Sequence, residues 1–233
     1  MAAETLPYDG GRYGRERCAA GELPRHRHDF GYMCLVLRGR FQEAGDAGRF
    51  RVAAGDILVH GPFEAHRDLF ETAGAEVLNL PLPRAPAQTG RFRVADPDEI
   101  ALLAELDPAL AAALAMERWT PAPGEDDWPD QLASALAGPA LSIGEWAARR
   151  GLAPATVSRG FRQAYGTSPA RFRAEMRART AWMRLGGTER PLVDLALDCG
   201  FADQAHMTRS VRALTGAPPA RWRGKVKSVQ DRG

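Results

Sequence analysis

The 233-residue sequence has few cysteines and lacks long hydrophobic runs. Its three cysteines, Cys18, Cys34 and Cys199, are too few for a disulfide framework, which favours a reducing compartment. No segment is apolar over the length needed to cross a bilayer, and the N-terminal residues lack a basic start followed by an apolar run. We therefore expect a cytoplasmic protein with no membrane partner.

Signature motifs of several enzyme classes are also missing. The sequence contains no glycine-rich phosphate loop, no nucleophile elbow and no paired-cysteine motif. The enzyme classes that depend on these motifs have no support, and we expect that the protein is not an enzyme.

What the sequence does have is an uneven distribution of charge. Residues 1–140 carry 14 basic and 22 acidic side chains, a net charge of −8, whereas residues 141–233 carry 17 basic and 7 acidic, a net charge of +10. A basic segment is attracted to nucleic-acid phosphates. The same charge also fits a basic surface that is merely solvated, so the motifs have to decide between the two.

Residues 31–82 show the pattern of short strands. Apolar runs at 32–37, 50–53, 56–60 and 77–80 are separated by turn residues rich in glycine and aspartate. This spacing predicts an antiparallel sandwich or a small β-barrel.

Helical spacing replaces the strand pattern after a proline-rich segment at 82–90. A break at Asp107-Pro108 predicts that a second helix begins there with Asp107 as its cap. The apolar positions of these helices form one stripe, which consists of Ile100, Leu103, Leu106, Leu110 and Leu114. The stripe either covers the sheet or forms the seam of a homodimer, because amphipathicity indicates burial without naming the partner.

The strongest feature is an internal repeat beyond residue 140. The segment 166–173 (GTSPARFR) returns as 216–223 (GAPPARWR). Upstream of each copy lie a short apolar helix, predicted at 143–150 and at 192–199, then a turn glycine and a second helix. This is the spacing of two helix-turn-helix units.

The second helix of each unit is predicted to protrude, which would let it enter the major groove of DNA. These helices would span 154–165 and 203–214, and one helix at 169–185 would hold the two units apart. The outward residues are Ala155, Ser158, Arg159 and Arg162 on the first helix and Gln204, Thr208, Arg209 and Arg212 on the second. Arginine suits guanine edges and glutamine suits adenine edges. The alternative is a bundle whose repeated helices only pack and whose arginines are only solvated.

Residues 141–223 resemble the DNA-binding domain of the AraC/XylS family of transcription regulators. The resemblance rests on the segments LSIGEWA at 141–147, VSRGF at 157–161, GTSP at 166–169, DCGFADQ at 198–204, Thr208-Arg209, and GAPP at 216–219. It implies base contacts from Ala155, Ser158, Arg159, Gln204, Ala205, Thr208 and Arg209. Val211 stands where the family usually has phenylalanine, which would loosen the packing of the second unit.

The N-terminal segment resembles the two motifs of a cupin barrel, and regulators of the AraC family often carry such a domain as a sensor. His26 and His28 are two residues apart and would share one face of a strand, which His66 could approach from a neighbouring strand. These three histidines either hold a divalent, zinc-like metal ion or are satisfied or ligand-contacting residues. With Tyr32, and Arg38 as a further polar group, they are the candidate ligand-binding residues in the barrel mouth.

Metal-binding cupins usually add a carboxylate four or five residues after the second histidine. The sequence has Tyr32 and Met33 there, so the ligand set is incomplete, with His60 as a spare imidazole. The missing carboxylate argues against a metal-dependent enzyme. A metal-binding cupin with an appended helical domain, acting as metal sensor or enzyme, is the alternative function.

The sequence thus predicts an α+β two-domain protein, with an N-terminal antiparallel, cupin-like β-barrel and a C-terminal all-α domain of two helix-turn-helix units. Residues 1–90 would be the sensor, 91–140 a helical linker and dimerisation segment, and 141–226 the DNA-binding domain. The predicted function is sequence-specific, effector-controlled transcription regulation. The predicted partners are double-stranded DNA, a small-molecule effector, a second copy of the chain and, for an activator, RNA polymerase.

Overall fold

The computed structural model describes residues 13–82, 88–138, 142–186 and 190–223, and the backbone of residues 4 and 5. Within the predicted linker and DNA-binding domain, residues 139–141, 187–189 and 224–226 lie outside the described residues, as do residues 83–87 of the proline-rich segment. The chain divides into two compact units, residues 1–130 (unit 1) and residues 131–233 (unit 2). The division by function at residues 90 and 140 stays a prediction.

Unit 1 is built on one antiparallel sheet. Its strands are β1 (Glu4–Thr5), β2 (Gly14–Cys18), β3 (Gly21–Arg27), β4 (Tyr32–Gly45), β5 (Gly48–Ala53), β6 (Asp56–His60), β7 (Ala65–Pro81), β8 (Gly90–Arg93) and β9 (Thr120–Pro121). The hydrogen-bonded order is β1-β2-β7-β4-β6-β8-β9, with β3 paired to β7 and β5 paired to β4. The two longest strands, β4 and β7, therefore lie side by side at the centre.

The predicted closed barrel is wrong for the part of the chain that the structure describes. The end strands β1 and β9 do not pair with each other, so the sheet stays open. Closure requires every edge strand to find a partner along its length. The two end strands have two residues each, which is too short to form such a seam.

Bulges bend the long strands where β4 and β7 meet. The pairing register shifts on either side of Gly39, which has a φ of +78° and lies opposite Ala75. A Cβ added at Gly39 would lie 2.1 Å from the Gly74 carbonyl oxygen. Only glycine fits this crossing, because both the backbone conformation and the space exclude a side chain.

At the start of β4, residues 32–36, both faces of the strand are buried, which explains the unbroken apolar run there. Met33 and Leu35 pack into one cluster, and Cys34 and Val36 alternate with them into a second cluster on the opposite face. The apolar pattern predicts this strand at 32–37 only, because its continuation at 38–45 is more polar and begins with three exposed residues.

Two helices cover the first of these clusters. They are α1 (Pro97–Ala104) and α2 (Pro108–Arg118), and Asp107 caps α2 by accepting hydrogen bonds from the backbone N–H groups of Ala109 and Leu110, as predicted. Three members of the predicted stripe, Ile100, Leu103 and Leu114, pack against the sheet cluster, so this part of the stripe covers the sheet. Leu106 and Leu110 are exposed, and the homodimer seam stays a prediction.

Helix α3 (Trp128–Ala137) contains the boundary between the units, and unit 2 continues with five helices. These are α4 (Ile143–Arg149), α5 (Pro154–Tyr165), α6 (Pro169–Leu185), α7 (Leu192–Asp198) and α8 (Gln204–Thr215). Their bounds agree within a residue with the predicted helices. Among the described residues, no helix is long and apolar enough to cross a membrane.

Helix α6 organises unit 2, because it packs against α5, α7 and α8. Proline at its first position and Ser168, whose hydroxyl accepts a hydrogen bond from the Arg171 N–H at 3.3 Å, start it where the sequence predicts. Phe172 packs against Phe161 and Tyr165 of α5. Ala181 and Leu185, further along α6, share a core cluster with α7 and α8.

Candidate nucleic-acid interface and candidate ligand site

The same backbone turn joins α4 to α5 and α7 to α8. The Leu152 N–H donates to the Ala147 carbonyl oxygen at 3.0 Å, and the Phe201 N–H donates to the Ala196 carbonyl oxygen at 2.9 Å. Gly151 and Gly200, one residue earlier, have φ values of +65° and +74°. Both turns are Schellman motifs, in which a left-handed residue ends the first helix and releases the chain for the second.

The predicted outward residues of the second helices are in fact turned away from the core. The exposed ones are Ala155, Ser158, Arg159 and Arg162 on α5 and Gln204, Ala205, Arg209 and Arg212 on α8, and Thr208 on α8 is half-buried. The buried sides carry Val157 and Phe161 on α5 and Met207 and Val211 on α8. Each helix therefore presents one polar face, as its periodicity predicts.

The arginines of these polar faces differ from other arginines of unit 2. Arg171 pairs with Glu175 at 2.9 Å and Arg190 pairs with Asp198 at 2.5 Å. Within the residues that the structure describes, no carboxylate pairs with Arg159, Arg162, Arg209 or Arg212. Four exposed guanidinium groups thus keep all their hydrogen-bond donors available for an external acceptor.

The two exposed helices begin differently. Asp203 caps α8, and its carboxylate accepts a hydrogen bond from the His206 N–H at 2.7 Å. Helix α5 has no side-chain cap and begins with Pro154. Val211, the residue that departs from the AraC/XylS pattern, is fully buried in the cluster with Leu195, Phe201 and Met207.

A second candidate site lies in unit 1, where four histidine rings meet. His26 and His28 come from β3, His60 from β6 and His66 from β7, and His26 lies opposite His66 in the strand pairing. The ring centres of His26 and His60 lie 4.3 and 4.4 Å from that of His66. The structure therefore brings together the three histidines that the sequence grouped, and the spare His60 joins them.

The Tyr32 ring stacks on His60, and its hydroxyl lies 3.4 Å from His66 Nε2. Together with the histidines it lines a cavity of about 140 Å³. Arg38, the other polar group suggested for this site, is exposed and is not among the residues that line the cavity.

Tyr32 and Met33 do occupy the positions of the cupin carboxylate, but two carboxylates from elsewhere in the chain lie beside the histidines. Glu43 Oε2 lies 3.3 Å from His60 Nε2, and Asp68 Oδ2 lies 3.9 Å from His66 Nε2. Glu43 and Asp68 are directly opposite each other on β4 and β7. The spacing of residues along β4 does not indicate that Glu43 lies near the histidines, because two bulges separate Glu43 from Tyr32. The sequence does contain a signal for Asp68. His66 and Asp68 are two residues apart on one strand, so their side chains share a face.

Burial controls the ionisation of this cluster. It lowers the pKa of His60 to about 3 and also lowers the pKa of His66, which the neighbouring imidazoles lower further. Burial raises the pKa of Asp68 to about 7, and burial together with the Asp68 carboxyl raises the pKa of Glu43 well above its ordinary value. Neutral imidazoles beside carboxyls that resist ionisation form a site whose charge depends on what else binds there.

Comparison with known proteins gives matches to the C-terminal part of the chain. The family described as "Helix-turn-helix domain" matches residues 146–225. The arabinose operon regulatory protein of Escherichia coli K12 is 33% identical over 81 residues, which are 34% of this chain and 28% of that protein. The chain matches less than a third of the length of this curated relative.

Solved structures of regulators are also similar to the chain. A transcriptional regulator with an AraC-type DNA-binding domain from Chromobacterium violaceum is 26% identical, with a TM-score of 0.38, over 41% of this chain and 88% of that one. ToxT from Vibrio cholerae, solved with an unsaturated fatty acid, is 8% identical, with a TM-score of 0.39, over 90% of this chain and 93% of that one.

Proposed function

We propose that this chain is a sequence-specific DNA-binding transcription regulator of the AraC family that responds to a small effector in unit 1; the similarity of its C-terminal part to a helix-turn-helix family and to the arabinose operon regulatory protein supports this. The observation that carries the proposal is the pair of exposed helices α5 and α8. Each follows the same glycine turn, and each presents two arginines that have no carboxylate partner among the described residues.

These faces have the chemistry that DNA recognition requires. Arg159 and Arg209 would donate two hydrogen bonds each to guanine edges in the major groove, and Gln204 would suit an adenine edge. Ala155 and Ala205 have no polar side-chain atoms, so their role would be to allow close approach or to contact a thymine methyl group. Residues 141–233 carry a net charge of +10, which attracts the phosphate backbone whatever its sequence.

Both helices belong to one body, because α6 packs against α5 and α8. Two recognition helices held on one body fit successive major-groove segments on one face of DNA, which lie about 34 Å apart. We therefore propose that α4–α5 and α7–α8 act as two helix-turn-helix units of a DNA-binding domain at 141–226. RNA polymerase would be a partner if the protein is an activator.

The effector would bind in the cavity of unit 1. His26, His28, Tyr32 and His66 place polar groups beside the aromatic walls that Phe30, Phe41 and Phe70 provide. Such a mixture of apolar walls and a few polar groups is typical of small-molecule sites. Residues 1–90 would then be the cupin-like sensor, and helices α1 and α2 in segment 91–140 would pass the signal on or mediate homodimerisation.

DNA-binding measurements on matched arginine variants test the proposal. The full-length double variant Arg159→Ala/Arg209→Ala and the wild type would be titrated onto a duplex that the wild type enriches from a random pool. We expect the double variant to bind at least tenfold more weakly, since each lost base contact costs about 1–3 kcal/mol. Arg149→Ala is the control, because Arg149 is exposed on α4 outside the proposed faces, and its affinity should stay within about threefold of wild type. Equal affinities for the double variant and the wild type would refute the proposed interface.

A further inference from the structure

The buried part of the histidine cluster has the donor set of a transition-metal site. Glu43, His60 and His66 each have 5% or less of their surface exposed, and their ligand atoms all lie within 4.8 Å of one another. His26 and His28 form a second such group with the same His66, and they are half-buried at the mouth of the cavity. Two imidazoles and one carboxylate are the ligands of several protein sites for zinc and iron.

We propose that unit 1 binds one divalent transition-metal ion, such as Zn²⁺, between Glu43, His60 and His66, with His26 and His28 at the entrance to this centre. The proposal differs from the sequence-based grouping of His26, His28 and His66, because it makes Glu43 and His60 primary ligands.

One donor–donor distance, between Glu43 and His60, is close to that of a metal site. Ligand atoms about 2.1 Å from a tetrahedral ion are about 3.4 Å from each other. Glu43 Oε2 and His60 Nε2 are 3.3 Å apart, so small side-chain shifts would place an ion between them.

The cluster also contains polar groups with no partner. The side chains of His66 and Asp68 are buried, with 3% and 5% of their residues' surface exposed. Within the described residues, the atoms His66 Nδ1 and Asp68 Oδ1 have no hydrogen-bond partner. An unsatisfied buried polar atom typically destabilises a fold by about 1–3 kcal/mol. A ligand in the cavity that bonds to these atoms would remove this cost.

The charge balance points the same way. Among the described residues, neither Glu43 nor Asp68 has an arginine or lysine partner, and these two buried acids lie opposite each other beside the histidines. A divalent cation between them would offset buried negative charge that no basic side chain compensates. The alternative is a purely hydrogen-bonded network of neutral side chains that holds no ion.

Metal titration of the full-length protein without a histidine tag separates the two. Chelator-treated protein would be titrated with Zn²⁺ by calorimetry and with Co²⁺ by visible absorption spectroscopy, and its metal content would be measured after dialysis. We expect one ion per chain and Co²⁺ bands from a site with protein ligands. The conservative variants Glu43→Gln and His60→Gln should each bind the ion about tenfold or more weakly.

The chain provides its own control. His206 is the one histidine outside the cluster, on α8, so His206→Gln should bind Zn²⁺ as the wild type does. Circular dichroism melting of each variant shows that it is folded. Failure of the wild type to bind Zn²⁺ or Co²⁺ would overturn the proposal. The proposal would also be overturned if Glu43→Gln and His60→Gln bound Zn²⁺ as tightly as the wild type while His26→Gln lost Zn²⁺ binding. That result would locate the ion at the entrance.

Metal binding by unit 1 does not depend on DNA binding by unit 2. Only the further role of the ion, as the effector or as the group that holds the effector, rests on the proposed function. DNA affinity would be measured on the same preparations with and without Zn²⁺, so a protein that binds DNA without binding metal, or metal without DNA, is identified directly.

Discussion

The two units place their polar side chains in opposite ways. Unit 1 buries Glu43, His60, His66 and Asp68 around a small cavity, and two of these residues contain buried atoms that lack a hydrogen-bond partner. Unit 2 instead leaves the arginines of α5 and α8 exposed, and it fills its core with apolar and aromatic residues. The candidate site of unit 1 is therefore internal, and that of unit 2 is external.

The side chains that indicate function are therefore of different kinds in the two units. A buried polar group that is not satisfied destabilises the fold, so each one requires an explanation, such as a bound water, ion or ligand. An exposed arginine has no such cost, so a single one indicates little. In unit 2 the signal is the repetition of the same exposed face behind the same turn.

The largest contrast in stability should come from glycines with similar backbone conformations. Gly39 in unit 1 and Gly151 in unit 2 have φ values of +78° and +65°. A Cβ at Gly39 would clash with the Gly74 carbonyl group, whereas nothing lies within 4 Å of a Cβ at Gly151. We expect Gly39→Ala to lower the free energy of unfolding by about 3 kcal/mol or more and Gly151→Ala by about 1–2 kcal/mol. Chemical denaturation would measure both, and equal effects would contradict the tight crossing of β4 and β7.

A smaller effect, on binding alone, is expected from Arg209→Ala. Because Arg209 is exposed and has no carboxylate partner among the described residues, the free energy of unfolding should change by less than about 0.5 kcal/mol. The affinity for an enriched DNA site should fall by about 1–3 kcal/mol, with relaxed preference at one base position. Competition binding with single-base variants of the site would measure this. Uniform weakening on every sequence would instead identify Arg209 as a phosphate contact.

The smallest effects on the free energy of unfolding are expected at two helix caps of unit 2. Asp203 and Ser142 each accept a hydrogen bond at a helix start, at 2.7 Å from the His206 N–H and at 3.3 Å from the Glu145 N–H. The shorter bond is to a charged acceptor, which makes it the stronger one. We expect Asp203→Ala to lower the free energy of unfolding by about 1 kcal/mol and Ser142→Ala by about 0.5 kcal/mol. Thermal melting would test this order, and a larger effect at Ser142 would contradict it.

The sequence predicted unit 2 far better than unit 1, for a physical reason. The bounds of α5 and α6 follow from residues at their own ends, such as Pro154, Gly166 and Ser168, because capping is local. The pairing of strands is not local. Strand β7 was predicted only at 77–80, although it begins at Ala65, because its first half is polar and lies beside the cavity.

The candidate site of unit 1 shows the same limit. His26, His28 and His66 could be grouped from alternation and from the resemblance to cupin motifs. Glu43 could not be, because only the register of β4 against β7, across two bulges, brings it to Asp68 and the histidines. The exposed faces of α5 and α8 needed only helical periodicity: eight of the nine residues named as DNA contacts are exposed there and Thr208 is half-buried, while their contact with DNA stays a prediction.

Selection of random duplex DNA by the full-length protein, sequenced at moderate and at raised salt, tests the central claim most directly. If α5 and α8 both recognise bases, the enriched sequences should contain two short blocks about one helical turn, or 10–10.5 base pairs, apart. The Arg159→Ala and Arg209→Ala variants should each relax a different block. Binding that enriches no motif and disappears as salt rises would contradict the claim, since it would reduce unit 2 to a basic domain that contacts only phosphates.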